Sequence, residues 1–224
     1  METEVRGATH LNVTVYATSV SALRHKLGES IECWEQRTHG IAPHYAVRVQ
    51  NTRMNLNERL EALATGLLLR HVLGINHDDQ LAFGEFGKPE LADGSACISI
   101  SHGGDVAAVA VAPIACGPIG LDVERVESYN RPAAQRVLAP SELSRLGHIE
   151  DPAEQTRAFC LAWTHLEAVL KATGTGFSRD PRVEGIPSGW RVAHIEHNHH
   201  VLALAAADMP TIEMINVTAD TLLD

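Results

Sequence analysis

One order of elements occurs twice along this chain, and that repetition limits its fold more than any other feature. Residues 56–73 carry Leu60, Leu63, Leu67 and His71 at helical spacing, with Gly74 as the stop. A glycine-rich loop follows, FGEFGKPELADGS, broken by Pro89. Then comes a hairpin: CISIS, a turn at Gly103-Gly104-Asp105, and VAAVAVA. The second half repeats this order. Pro140-Ser141-Glu142 starts a short helix, and Asp151-Pro152-Ala153-Glu154 opens a long one. Aspartate as N-cap, proline at the first helical position and glutamate two residues on are three start signals together. Gly174 and Gly176 stop that helix, and WRVAHIEH, a turn near Asn198 and VLALAAA form the second hairpin. Val106 and Val201 begin corresponding strands.

The fold expected is therefore α+β, built from two similar halves. The halves span 1–114 and 115–224, meet near residues 113–118, and hold a site in the cleft between them. Residues 11–17, with Val13, Val15 and Ala17 alternating, read as a strand. Residues 21–50 carry no clear period.

The composition narrows the partners. Net charge is −10, which argues against duplex nucleic acid and anionic membranes as the main partner. No 18-residue apolar run and no N-terminal apolar stretch occur, so neither a membrane span nor a signal peptide is expected. The four cysteines, Cys33, Cys97, Cys116 and Cys160, are well separated and include no CxxC. They read as reduced core thiols in a cytoplasmic protein.

Two short stretches carry the chemistry. In FCLAWTHLEAVLKATGTG, residues 159–176, Glu167 and Lys171 stand four apart on one helix face. Trp163 and Leu170 flank Glu167 on the helix wheel, so the pair borders the buried stripe. An exposed pair at this spacing would be a solvated ion pair worth a few tenths of a kcal/mol. In IGLDVERV, residues 119–126, Asp122 and Glu124 alternate with Ile119, Leu121 and Val123 along a strand, so both carboxylates point one way. Two like charges on one face repel. A divalent cation removes that cost, since hard cations take carboxylate oxygens. Three carboxylates and a lysine suggest such a cation holding a phosphate. The histidines at 194, 197, 199 and 200 crowd a predicted turn and read as structural rather than as a transition-metal site.

The order GKPEL, SISH, IGLDVERV, WTHLEAVLKATGTG resembles the 4′-phosphopantetheinyl transferase superfamily, in its longer pseudodimeric branch. The resemblance covers roughly residues 56–207. It implies two α+β halves with coenzyme A between them and Mg²⁺ as cofactor. The activity it implies is transfer of phosphopantetheine from coenzyme A to a serine of an acyl, peptidyl or aryl carrier protein. By matching positions, Asp122, Glu124 and Glu167 would bind the metal, Glu167 would be the base, and Lys171 would hold the pyrophosphate. Lys88 and Pro89 would line the nucleotide site, and Ser101 and His102 would contact the 3′-phosphate. A monomer is expected, with Arg125, Arg131, Arg136 and Arg145 as a surface for an acidic carrier helix.

The chain departs from the family pattern at two places. Leu166 stands where the family often has lysine. The helix preceding GKP has Glu61 and Ala62 where a basic residue for the 3′-phosphate is usual, with Arg53, Arg59 and Arg70 as candidate substitutes. Competing readings are a degenerate member that binds carrier or coenzyme A without transfer, and a Mg²⁺-dependent pyrophosphate hydrolase.

Overall fold

The computed structural model describes residues 12–224 apart from 29, 128 and 179. The first eleven residues, including the first position of the expected 11–17 strand, lie outside the described residues. The strands are β1 (Asn12–Ser19), β2 (Leu81–Phe83), β3 (Pro89–Leu91), β4 (Cys97–Gly103), β5 (Val106–Ala112), β6 (Ile119–Arg125), β7 (Arg191–His197), β8 (His200–Ala206) and β9 (Thr211–Asn216). The helices are α1 (Val20–Leu27), α2 (Ile31–Arg37), α3 (Pro43–Gln50), α4 (Leu56–Leu73), α5 (Arg131–Val137), α6 (Pro140–Gly147), α7 (Pro152–Thr173), α8 (Pro181–Glu184) and α9 (Ala219–Leu223).

The α+β class is as expected. One sheet has the order β4-β5-β1-β9 and another β6-β8-β7. β4, β5 and β1 pair antiparallel, whereas β9 runs parallel to β1, with Val13 opposite Ile212. The last strand, from beyond residue 208, thus adds to the sheet built otherwise from residues before 113.

Strand alternation explains the layering. Val106, Ala108 and Ala110 of β5 share one core with Val13 and Val15, and with Ile119, Leu121 and Val123 of β6 and Leu202 and Leu204 of β8. That core lies between the two sheets. Ala107 and Val109 face the other way, against Leu60, Leu63 and Leu67 of α4. On the second sheet Ala203 and Ala205 face Ala168, Val169 and Ala172 of α7. The order is helix, sheet, sheet, helix. β5 and β8 are apolar almost throughout because both of their faces are covered.

The two principal helices begin and end where their caps dictate. The Asn55 side chain accepts from the Glu58 backbone N–H and Glu58 returns a bond to Asn55 N–H, a closed capping box. Asp151 caps α7 through the Ala153 N–H, and Pro152 sits at the first position. Gly74 and Gly174 end the two helices in the left-handed conformation, at φ 68° and 69°.

Three expectations need correction. Residues 20–50 form three short helices that wrap α4, burying Leu23, Trp34, Tyr45 and Val49. The glycine-rich loop contains a small hairpin, β2 with β3, in register Leu81 to Leu91. The four cysteines are free, as expected, but Cys33 is exposed on α2 and is no core thiol. Among the described residues no helix is long and apolar enough to cross a membrane.

Candidate active site

β4 and β6 are edge strands of different sheets, and serine side chains join them. Ser99 Oγ accepts from the Leu121 N–H at 2.8 Å, and Ser101 Oγ accepts from the Val123 N–H at 3.1 Å. Alternation explains the pattern ISIS: Ile98 and Ile100 enter the α4 core, so the serines face β6. At the end of this seam Gly103 passes so close that a Cβ there would lie 2.3 Å from the Val123 carbonyl oxygen.

With Ile119, Leu121 and Val123 committed to the inter-sheet core, Gly120, Asp122 and Glu124 face α7. Gly120 is required by the packing, because a Cβ would lie 1.9 Å from the Ala168 carbonyl oxygen and 2.4 Å from the Ala172 nitrogen. The glycine lets the helix lie on the strand. α7 runs antiparallel to β6: Cys160 lies at Glu124, with Sγ 3.8 Å from its carbonyl oxygen, and Ala172 lies near Ile119.

This approach brings together five of the residues singled out in the sequence. Lys171 Nζ lies 2.6 Å from Asp122 Oδ1 and donates to Ser101 Oγ at 2.9 Å. Ser101 Oγ donates to Asp122 Oδ1 at 3.0 Å. Asp122 is only 3% exposed, and its other oxygen, Oδ2, is buried without a hydrogen-bond partner. Glu124 and Glu167 complete the group electrostatically. Burial first, then the charges of Asp122 and Glu167, push the Glu124 carboxyl up to about 7. Burial and Asp122 likewise hold Glu167 above the ordinary carboxylate range, while Lys171 pulls it back. Trp163 lines the same pocket as Glu124 and, as the smallest of these influences, pulls its carboxyl back down, a role the sequence carried only as the first letter of WTHLEAVLK.

A set of hard oxygen donors that repel one another, one of them buried and unsatisfied, fits a divalent cation. Among the described residues no three His, Cys, Asp or Glu side chains stand close enough to form a finished coordination shell.

The other expected site residues lie around this group. Lys88 Nζ donates to the Ile119 and Ala172 carbonyl oxygens, at 3.1 and 3.2 Å, and burial lowers its pKa. It therefore clamps the start of β6 to the end of α7. Pro89 opens β3 beside it. His102 faces away from Ser101, toward α4, where its Nδ1 lies 3.1 Å from Glu61 Oε2. Glu61 is 8% exposed, and its Oε1 accepts from Asn57 at 2.7 Å. Two of the substitute arginines are occupied: Arg59 donates to the Val49 carbonyl oxygen and lies 3.5 Å from Glu35, and Arg70 donates to the Leu222 carbonyl oxygen. The histidines at 194–200 are dispersed. His194 contacts the Leu161 carbonyl oxygen, Asn198 and His199 form the turn, and His200 bonds the Asp105 N–H and the Asn198 carbonyl oxygen.

Comparison with known proteins bears on this arrangement. A protein from Synechocystis sp., provisionally named a 4′-phosphopantetheinyl transferase, is 32% identical over 117 residues, 50% of this chain and 46% of its own length. The 4′-phosphopantetheinyl transferase AcpT of Salmonella typhimurium is 31% identical over 98 residues, 42% of this chain and 50% of its own length. The chain thus spans about half the length of the curated relatives it matches. Residues 118–205, which hold Asp122, Glu124, Trp163, Glu167 and Lys171, match the model of the 4′-phosphopantetheinyl transferase superfamily.

Proposed function

We propose that this chain moves the phosphopantetheine arm of coenzyme A onto a serine hydroxyl of an acyl, peptidyl or aryl carrier protein. The serine oxygen bonds to the phosphorus that bears the arm. The bond from that phosphorus to the bridging pyrophosphate oxygen breaks, and adenosine 3′,5′-bisphosphate leaves with the electron pair. The observation that carries this reading is the Asp122–Ser101–Lys171 group flanked by two carboxylates that burial and mutual charge keep basic.

Asp122, Glu124 and Glu167 are the residues that would hold Mg²⁺, which when bound neutralises charge on the pyrophosphate oxygens. Lys171 is placed to donate to a pyrophosphate oxygen, since its ammonium already sits in the group at 31% exposure. Glu167, with its raised pKa, is suited to take the serine proton, because a base works best near the operating pH. Ser101 orients Asp122 and Lys171 together. Lys88 holds the ends of β6 and α7 in register, with the nucleotide end of the donor and Pro89 on its side.

Mixing the protein with coenzyme A, Mg²⁺ and an apo carrier tests this, with mass spectrometry of the carrier as the readout. A carrier heavier by one phosphopantetheine is expected. Glu167→Gln should lower turnover by on the order of 10²-fold or more. Coenzyme A cleaved without a carrier would make the chain a hydrolase instead. Binding without either reaction, across several carriers, would make it a binding protein.

A further inference from the structure

Beyond the serines of β4, a histidine fastens the two sheets together. His200 opens β8 and is 4% exposed. It has the parity of Leu202 and Leu204, so its ring enters the layer between the sheets. There its Nε2 accepts the Asp105 N–H of the β4–β5 turn at 3.1 Å. Its Nδ1 lies 2.7 Å from the Asn198 carbonyl oxygen. A backbone N–H only donates and a carbonyl only accepts, so the ring proton sits on Nδ1 and Nε2 is bare. The neighbours of His200 therefore fit the neutral ring in a single tautomer.

We propose that this bond is a proton-sensitive latch, and that a second proton on His200 releases the β4–β5 turn from β8. Imidazolium carries an N–H at Nε2, and two donors 3.1 Å apart repel instead of bonding. The ring has little room to turn elsewhere. A Cβ on Gly104 would lie 2.6 Å from Nε2 and 2.7 Å from the Arg125 Cβ, so the Gly104 backbone fills the space between them. The charged groups around the ring offer the new proton no free acceptor. β6 places Arg125 opposite His200, with its guanidinium 3.2 Å from Glu127. β7 places His197 across from it, and His199 precedes it in the turn. α1 brings His25 and Lys26 to the cleft beside the ring, and α9 brings Asp220, which Lys26 holds at 2.7 Å. The Asp105 carboxylate is engaged as well. Its Oδ2 accepts from Ser19 Oγ at 2.8 Å and Ser21 Oγ at 2.9 Å, and its Oδ1 accepts from the Ser21 N–H.

The latch matters because of what the turn carries. The Asp105 carbonyl oxygen accepts from the Val20 N–H at 2.9 Å, so the same residue holds the start of α1 by both its backbone and its side chain. His200 adds β8 of the second sheet to that junction. Ser101, which bonds Asp122 and Lys171, lies on the strand that ends in this turn. With His200 neutral, the seam between β4 and β6 is closed beyond Gly103. With His200 charged, it is held by its Ser99 and Ser101 bonds, and acid opens it from the Gly103 end. The latch is a property of the fold and acts whether or not the chain is a transferase.

Amide hydrogen exchange at Asp105, followed by NMR and corrected for intrinsic rates, reads the latch without donor, metal or carrier. Measurements at pH 5 and pH 8 bracket the ordinary imidazole titration at about 6.5. The Val109 amide, in the middle of β5, is the internal reference. In wild type, protection of Asp105 relative to Val109 should fall by about fivefold to tenfold from pH 8 to pH 5, the size of one net hydrogen bond. Both His200→Ala and His200→Gln should abolish that response. His200→Ala should leave the Asp105 amide unprotected throughout. His200→Gln, whose amide oxygen accepts without titrating, should keep it protected. Long-range ¹H–¹⁵N spectra of wild type at pH 8 should show the Nδ1–H tautomer. The opposite tautomer, a wild-type protection that does not change with pH, or a variant that responds to pH as wild type does would each overturn the latch. If His200→Ala does not fold by circular dichroism, wild type and His200→Gln decide between them.

Discussion

Glu124→Gln makes the charge crowding around Asp122 measurable as a pH dependence of stability. In the folded chain the Glu124 carboxyl is pushed from its ordinary 4.5 up to about 7, by burial first and then by Asp122 and Glu167. The sign follows from proton counting. Below about 4.5 both states hold the proton and the group is silent. As pH rises above 4.5 the unfolded chain releases it and the folded chain keeps it, so stability falls. The loss is complete once pH exceeds about 7, where both states are ionised. One pKa unit is 1.36 kcal/mol, so the full effect is on the order of 3 kcal/mol. Glutamine has no proton to lose and removes this slope. Thermal unfolding at pH 5 and pH 8 should therefore show the variant gaining on wild type at pH 8, by roughly 2–4 °C in Tm for each kcal/mol. Excess Mg²⁺ at pH 8 should close part of that gap by stabilising wild type more. If wild type and variant change in parallel between pH 5 and 8, Glu124 is not the strained carboxylate and the crowding argument fails.

Two further changes probe packing and turn geometry. Gly120→Ala puts a methyl 1.9 Å from the Ala168 carbonyl oxygen and should cost about 3 kcal/mol or more, whereas Gly147→Ala, which meets nothing within 4 Å, should be neutral or slightly stabilising; equal urea midpoints for the two would refute the close approach of α7 to β6. His199 stands at φ 62° in the β7–β8 turn, so His199→Gly should raise the urea midpoint by an amount equivalent to at most about 1 kcal/mol, and a lowered midpoint would show that the ring contributes more than its strain costs.

The parts of the fold legible in the sequence are those fixed by local chemistry. The limits of α4 and α7 follow from Asn55, Asp151, Pro152, Gly74 and Gly174, all of which act on their own neighbours. The facing of Asp122 and Glu124 follows from the apolar alternation of β6. What was not legible depends on residues far apart. Residues 20–50 have helices of at most eight residues, too short to show a period, and tertiary burial of Trp34 and Tyr45 decides them. β9 alternates Thr211 and Glu213 with Ile212 and Met214 only over its first four residues, and its partner β1 is about two hundred residues away. The serines of ISIS gave no sign that they replace a backbone ladder between two sheets. The pairing of His102 with Glu61 likewise needs α4 laid against β4, a contact that neither motif encodes.

The position of β9 has a consequence for how the chain is made. A ribosome adding about 5–20 residues per second finishes β5 roughly 5–20 s before it reaches residue 216. For that interval β1 presents an edge of unpaired backbone N–H and C=O groups to whatever strand arrives first. The first sheet of this protein is complete only when its last strand has been synthesised, so a nascent chain interrupted before residue 211 carries an adhesive edge that the finished molecule hides.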